Sequence, residues 1–268
     1  GEITEVLTYR DDGEYTTIPL HFEPEGSTFV VFREKGEDDT HIVSIAKDGT
    51  RLFPDNRHAV KENPYIQFER VAGAVHSTIY ERGEYTVEWS NGQVRSFSGG
   101  STRKTRSGSW TLSFDPEWGG PDQVQAKELK SWTEFDEDGI KYYSGTAVYT
   151  KAFTMNAQDI RGKRILLDLG NVLEMASITI NGEKLPVRWS APFVFDITQY
   201  AKQGRNTLAA EVVNMWANRL ILDGKLPEHE RLTTTNIGKF RAHDADKYLR
   251  KSGLLGEVTL TFADVKTQ

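Results

Sequence analysis

The feature that most constrains this chain is an every-second-residue alternation of apolar and polar side chains, broken by turn signals every eight to twelve positions. Ile165, Leu167 and Leu169 share one face of an extended segment, as do Ile178 and Ile180, then Phe193, Phe195 and Ile197, then Leu208, Ala210 and Val212. A period of two fits a half-buried strand and no helix. Asn91-Gly92 and Asn181-Gly182 supply the positive φ angles of tight hairpin turns. In the first hundred residues Ile18, Leu20 and Phe22 alternate before Pro24-Glu25-Gly26. Phe29-Val30-Val31-Phe32 reads as a short run buried on both faces, and Tyr85, Val87 and Trp89 alternate again. Helix is scarce: one turn over 196–204 closed by glycine, and one short helix over 243–251 started by Asp244. The expectation is an all-β fold, with a small antiparallel β domain over 1–100 and a β-sandwich or jelly roll over 109–268. The glycine- and serine-rich stretch SGGSTRKTRSG has no apolar residue, and predicts a linker over 101–108.

A chain of 268 residues can bury two cores without covalent staples. Its net charge is −6, divided as −8 over residues 1–100 and +2 over the remainder. The one dense basic run, Arg103-Lys104-Thr105-Arg106, reads as a solvated linker, so no nucleic-acid partner is expected. Cysteine is absent, which excludes disulfides, thiolate metal sites and a cysteine nucleophile but leaves the compartment open. No apolar run approaches 18 residues, so no membrane span is expected, and no signal peptide is visible. The start at Gly1 reads as a processed or tagged piece whose natural protein extends further upstream.

Catalytic chemistry finds little support. His21, His41, His58, His76, His229 and His243 lack metal-ligand spacing, and no serine elbow or glycine-rich phosphate loop follows a strand. Neither a cofactor nor a metal is expected from these residues. Glycoside hydrolysis needs two carboxylates about 5 to 10 Å apart, one of them raised in pKa by burial. The acidic runs 34–39 and 134–138 sit in loop-like segments and read as solvated faces.

Four stretches occur in order: SGTAVYTKAFTM, RGKRILLDLGNVLEMASITINGEKL, APFVFDITQYAKQGRNTLAAEVVN and SGLLGEVTL. Together they resemble the galactose-binding-like jelly roll of the sugar-binding type found in family 2 glycoside hydrolases. GSWTLSFDPEWGGP, GIKYYSGTA and NMWANRLILDGKLP resemble the C-terminal region of bacterial family 106 α-L-rhamnosidases, and IPLHFEPEGSTFVVFR is similar to the strand pair preceding the jelly roll there. In that family the catalytic carboxylates lie on an upstream (β/α)8 barrel, which needs about 250 residues of alternating strand and helix. No such pattern is present. The resemblance therefore implies a C-terminal accessory region with no catalytic residues of its own. It implies a parent that is a periplasmic or extracellular bacterial enzyme, with that barrel and carbohydrate as partners. It also allows a structural calcium, for which the sequence names no ligands. An independent carbohydrate-binding module and a structural or adhesion spacer are the alternatives.

Sugar recognition asks for flat aromatic faces beside amides, carboxylates and guanidinium groups. Trp118, Trp132, Trp189 and Trp216 are the aromatic candidates of the second part, each competing with a role in the core. Trp189 is the least core-like, because a Ser190-Ala191-Pro192 loop follows it. The strand through Val212 is expected to end near Asn214 and to continue as a long loop anchored by Trp216 and Leu220-Ile221-Leu222. There Arg219 and Asp223 either tie the loop down or, with Asn218, face a sugar pocket. The candidate carbohydrate-binding residues are thus Trp189, Trp216, Asn218, Arg219 and Asp223.

Overall fold

The computed structural model describes residues 3–22, 26–33, 40–54 and 65–268. Pro24 and Glu25 of the first expected turn, the acidic run 34–39 and His58 lie outside the described residues. The sheets are antiparallel and the helices few, so the fold is all-β. Two compact units form. One comprises Gly1–Arg103, Arg161–Ile165 and Thr261–Gln268, and the other Lys104–Ile160 and Leu166–Leu260.

The second unit is sandwich-like and contains a six-stranded sheet. Its strands run in the spatial order Val124–Ala126, Trp110–Ser113, Thr146–Met155, Gly204–Val213, Met175–Ile180 and Glu183–Lys184. The two central strands pair over ten residues, from Thr146 opposite Val213 to Met155 opposite Gly204. The predicted alternation holds: Leu208, Ala210, Val212, Ile178 and Ile180 are buried, together with Ala147 and Tyr149 of the neighbouring strand. A second pairing, Leu167 opposite Phe195, adds further buried side chains from the segments that the alternation marked. Each such aliphatic or aromatic side chain contributes about 1.5–3 kcal/mol by leaving water. Asn181 and Gly182 take φ +52° and +96° at the expected hairpin. The Asn181 amide also donates to the Tyr200 carbonyl and to Asn206 Oδ1, which fixes the turn against the next strand.

The first unit holds a four-stranded sheet, Thr50–Phe53, Ile42–Lys47, Gly83–Trp89 and Val94–Gly99 in spatial order. Tyr85, Val87 and Trp89 point into its core with Ile42, Ile45 and Phe53. In this unit the segments around Leu20 and over 29–32 depart from expectation. They form no strand, and Phe29 is 94% exposed. An apolar run becomes a strand only where a neighbour takes its backbone N–H and C=O groups. Among the described residues none does.

Three further segments differ from the sequence reading. Ser101–Thr105, expected as linker, is a strand, since ladder pairing uses the backbone and needs no apolar side chain. The helix expected after Asp244 is a single 3-10 turn, Ala245–Tyr248, because the Asp244 carboxylate pairs with Lys247 instead of capping. The stretch expected as a long loop after Trp216 is an α-helix, Ala217–Lys225. Gly224 lies in its last turn. A Cβ there would come within 2.5 Å of the Phe240 carbonyl oxygen, so close chain approach explains the glycine.

Deep in the second unit, the Tyr149 hydroxyl accepts bonds from Trp132 Nε1 and from the Leu254 N–H. Removing it strands two buried donors. Tyr149→Phe is expected to lower unfolding free energy by about 1–3 kcal/mol, measured by urea denaturation with an unchanged m value.

Candidate functional site

The Gly204–Val213 strand stops because Asn214 replaces the ladder with side-chain bonds. Asn214 Oδ1 accepts the Gly145 N–H, and its amide donates to the Tyr143 carbonyl and to Ser252 Oγ. Four residues on, Asn218 is fully buried. Its amide donates to the Arg250 carbonyl and Ser252 Oγ, while its oxygen accepts the Arg250 N–H. Helix starts leave their first N–H groups without partners. Here Ser144 supplies the missing acceptor: its Oγ takes the Arg219 N–H at 3.0 Å and donates to the Met215 carbonyl at 2.9 Å.

Arg219 and Asp223 lie one turn apart on this helix and are 5% and 2% exposed. Arg219 Nη2 donates to Asp223 Oδ1 at 2.5 Å. The carboxylate also accepts the N–H groups of Leu232 and Thr233 and the Thr233 hydroxyl. Burial pushes the Asp223 carboxyl up, but the bonds from Arg219 and Thr233 outweigh it and hold the group below its usual range. Arg219 Nε is buried with no acceptor among the described residues. Its Nη1 lies against Gly119, where an added Cβ would come within 2.7 Å.

Gly119 closes a short turn, Pro116–Trp118, that the Asp115 side chain caps by accepting the Glu117 N–H. The turn presents Trp118 to Trp216, ring centroids 5.1 Å apart and planes at 71°. Trp216 is half exposed, and so is Met215. Leu232 borders the same guanidinium beside Gly119. The structure thus brings together Trp216, Arg219 and Asp223 of the expected set and adds Trp118. Asn218 sits behind them as an internal fastener. Trp189, 69% exposed, follows Arg188, whose backbone bridges Ala176, and it stacks on no other ring among the described residues. Trp132 is fully buried against Phe114 and Tyr143. A local signal for Trp118 existed in the turn-forming Asp-Pro-Glu-Trp-Gly, which holds an aromatic at a surface corner.

Chemically, this is an edge-to-face pair of indole rings near a buried guanidinium whose position is set by a carboxylate. A general acid at neutral pH would need a carboxyl pushed up. Every described carboxyl with a displaced pKa is instead lowered. Among the described residues no three His, Asp or Glu side chains converge to hold a metal.

Removing Asp223 leaves Arg219 as an uncompensated buried charge. Asp223→Ala is expected to cost about 3–5 kcal/mol of stability in chemical denaturation. Because the folded-state pKa is depressed, the stabilisation is present above the ordinary Asp value of about 3.9 and lost as pH falls below it. The variant should accordingly show a flatter acid limb than the parent in stability measured against pH.

No protein-family model matches the chain. The chain is 30% identical over 275 residues to a Formosa agariphila protein described as "Putative beta-glucuronidase". That match takes in 93% of this chain and 22% of the Formosa protein, so the chain spans about a fifth of its relative's length. Among solved structures, a rhamnosidase from Novosphingobium sp. PP1Y superposes with a TM-score of 0.55 at 23% identity, over 76% of this chain and 24% of that one. A Ruminococcus gnavus beta-glucuronidase gives a TM-score of 0.43 at 20% identity, over 61% and 28%, too loose a likeness to carry an argument. The chain therefore shares its fold with part of a rhamnosidase, and is related in sequence to part of a larger protein that is also named as a glycosidase.

Proposed function

We propose that this chain is a non-catalytic accessory region of a larger, exported bacterial glycoside hydrolase, resembling the C-terminal part of a family 106 α-L-rhamnosidase. In this reading the second unit is a galactose-binding-like jelly roll. It packs on the catalytic barrel of the same polypeptide and contributes to carbohydrate binding. The observation that carries the reading is the Trp118–Trp216 pair beside Arg219, in which Trp216 is half exposed and Trp118 partly buried. Aromatic faces cover the apolar side of a sugar ring, and rings backed by the buried Arg219–Asp223 pair lose little side-chain freedom when one settles on them. The small share of the relatives' length that the chain spans supports a role as one part of a larger enzyme. Asn218 and Asp223 hold this platform in place from behind.

Calorimetric titration of the chain with rhamnose- and glucuronate-containing oligosaccharides tests the reading. Trp216→Ala should weaken binding about tenfold, the equivalent of one aromatic contact, while leaving the fold intact by circular dichroism. Turnover of chromogenic glycosides by the chain alone, abolished by a single carboxylate substitution, would overturn the accessory assignment.

A further inference from the structure

The Trp118–Trp216 platform leaves the basic run that ends at Arg106 unexplained. Lys104 is accounted for, since its ammonium bonds Asp159 at 2.6 Å. Arg106 is not. Its backbone N–H donates to the Val258 carbonyl at 2.7 Å, and its guanidinium lies over Phe153, 5.3 Å from the ring centroid. Among the described residues its side chain makes no hydrogen bond, and Nε is wholly shielded from solvent. Beside it is a second cation, Lys151, whose ammonium lies 4.8 Å over Trp110 and donates to the Gly108 and Ser109 carbonyls at 3.0 Å each. Burial, and then the Arg106 charge, push the Lys151 ammonium below its usual pKa.

The Asp159 carboxylate, already bonded to Lys104, acts on Arg106 only through its charge and without a hydrogen bond, in a chain whose net charge is −6. A buried guanidinium Nε with no acceptor is costly, and a second cation nearby raises that cost. Both charges are nevertheless held on aromatic rings, and Lys151 is further fixed by two carbonyls. One donor of its three remains. A planar fork of N–H groups beside an ammonium matches two oxygens of a single oxyanion.

We infer that Arg106 and Lys151 form a binding site for an oxyanion, a carboxylate or sulfate group carried by an acidic saccharide. The saccharide carrier rests on the carbohydrate-binding reading proposed above. The oxyanion site itself stands on the unpaired guanidinium and its neighbouring cation.

The experiment is calorimetry on the whole chain with four ligands: sodium sulfate, a sulfated oligosaccharide, a uronate oligosaccharide, and a neutral oligosaccharide of equal length. At least one acidic saccharide should bind more tightly than the neutral one, with the difference shrinking as salt rises. The stronger of the two acidic ligands identifies the group. Arg106→Met keeps the aliphatic stem on Phe153 and removes the donors. It should weaken the acidic ligand about tenfold or more and leave neutral binding unchanged. Arg106→Lys should recover part of the loss. Sulfate binding that disappears in Arg106→Met, with no saccharide bound at all, sustains the oxyanion site and removes the carbohydrate reading. Equal affinity for acidic and neutral ligands, an Arg106→Met variant indistinguishable from the parent, or no binding of sulfate and both acidic ligands overturns the inference. Thermal unfolding confirms that each variant is folded.

Discussion

The ten-residue pairing of Thr146–Met155 with Gly204–Val213 is the constraint on which the second unit depends. It receives Trp110–Ser113 on one side and Met175–Ile180 on the other, so it sets the register of the whole sheet. A slip of one residue would turn Leu208, Ala210 and Val212 to the outer face and empty the core. Because Thr146 faces Val213, the preceding and following chains leave the sheet at one level, where Gly145 meets Asn214. The Trp216 side of the platform is placed by that register, two residues beyond Asn214.

Buried polar groups then take over from the ladder. A buried ion pair is weak grounds for claiming stability, since well-packed apolar residues often do as well. What Arg219 and Asp223 supply is a single geometry. The Asp223 carboxylate gathers Arg219 from its own helix and two N–H groups from the segment at Leu232 and Thr233, so helix and loop cannot move independently. The guanidinium in turn rests on Gly119, next to Trp118. Rings mounted on a fixed support lose less entropy when a ligand settles on them than rings on a free loop.

Legibility in the sequence followed from whether the deciding interaction was local. The strands through Ile165, Ile178, Phe195 and Leu208 were readable because each buries one face, and a buried face prints a period of two. The segment 29–32 prints an equally apolar run, yet its fate depends on a partner strand elsewhere in space. The helix Ala217–Lys225 was unreadable for a different reason. Its buried residues are Ala217, Asn218, Arg219, Ile221 and Asp223, so polar side chains occupy the inward face and cancel the apolar period. The ion pair at spacing four was visible, but spacing alone does not separate a helix from a tied loop. Trp132 and Trp118 both follow turn-forming residues. Only the fold decides that one fills a core while the other stands at a surface.

Three of the described acids share one pattern. Burial pushes Asp159, Asp223 and Asp264 upward, and in each case a cation overrules it: Lys104, Arg219 and Lys163 respectively. A carboxyl kept ionised by a bonded cation is a poor proton donor at neutral pH, so these acids are committed to architecture. In the proposed division of labour, acid–base chemistry belongs to the barrel and recognition to this region. Arg106 departs from that pattern. It is a partly buried cation to which no described carboxylate is bonded, the Asp159 charge acting on it only from a distance. The pattern that ties Asp159, Asp223 and Asp264 each to a bonded cation leaves this guanidinium open to an acid from outside the chain.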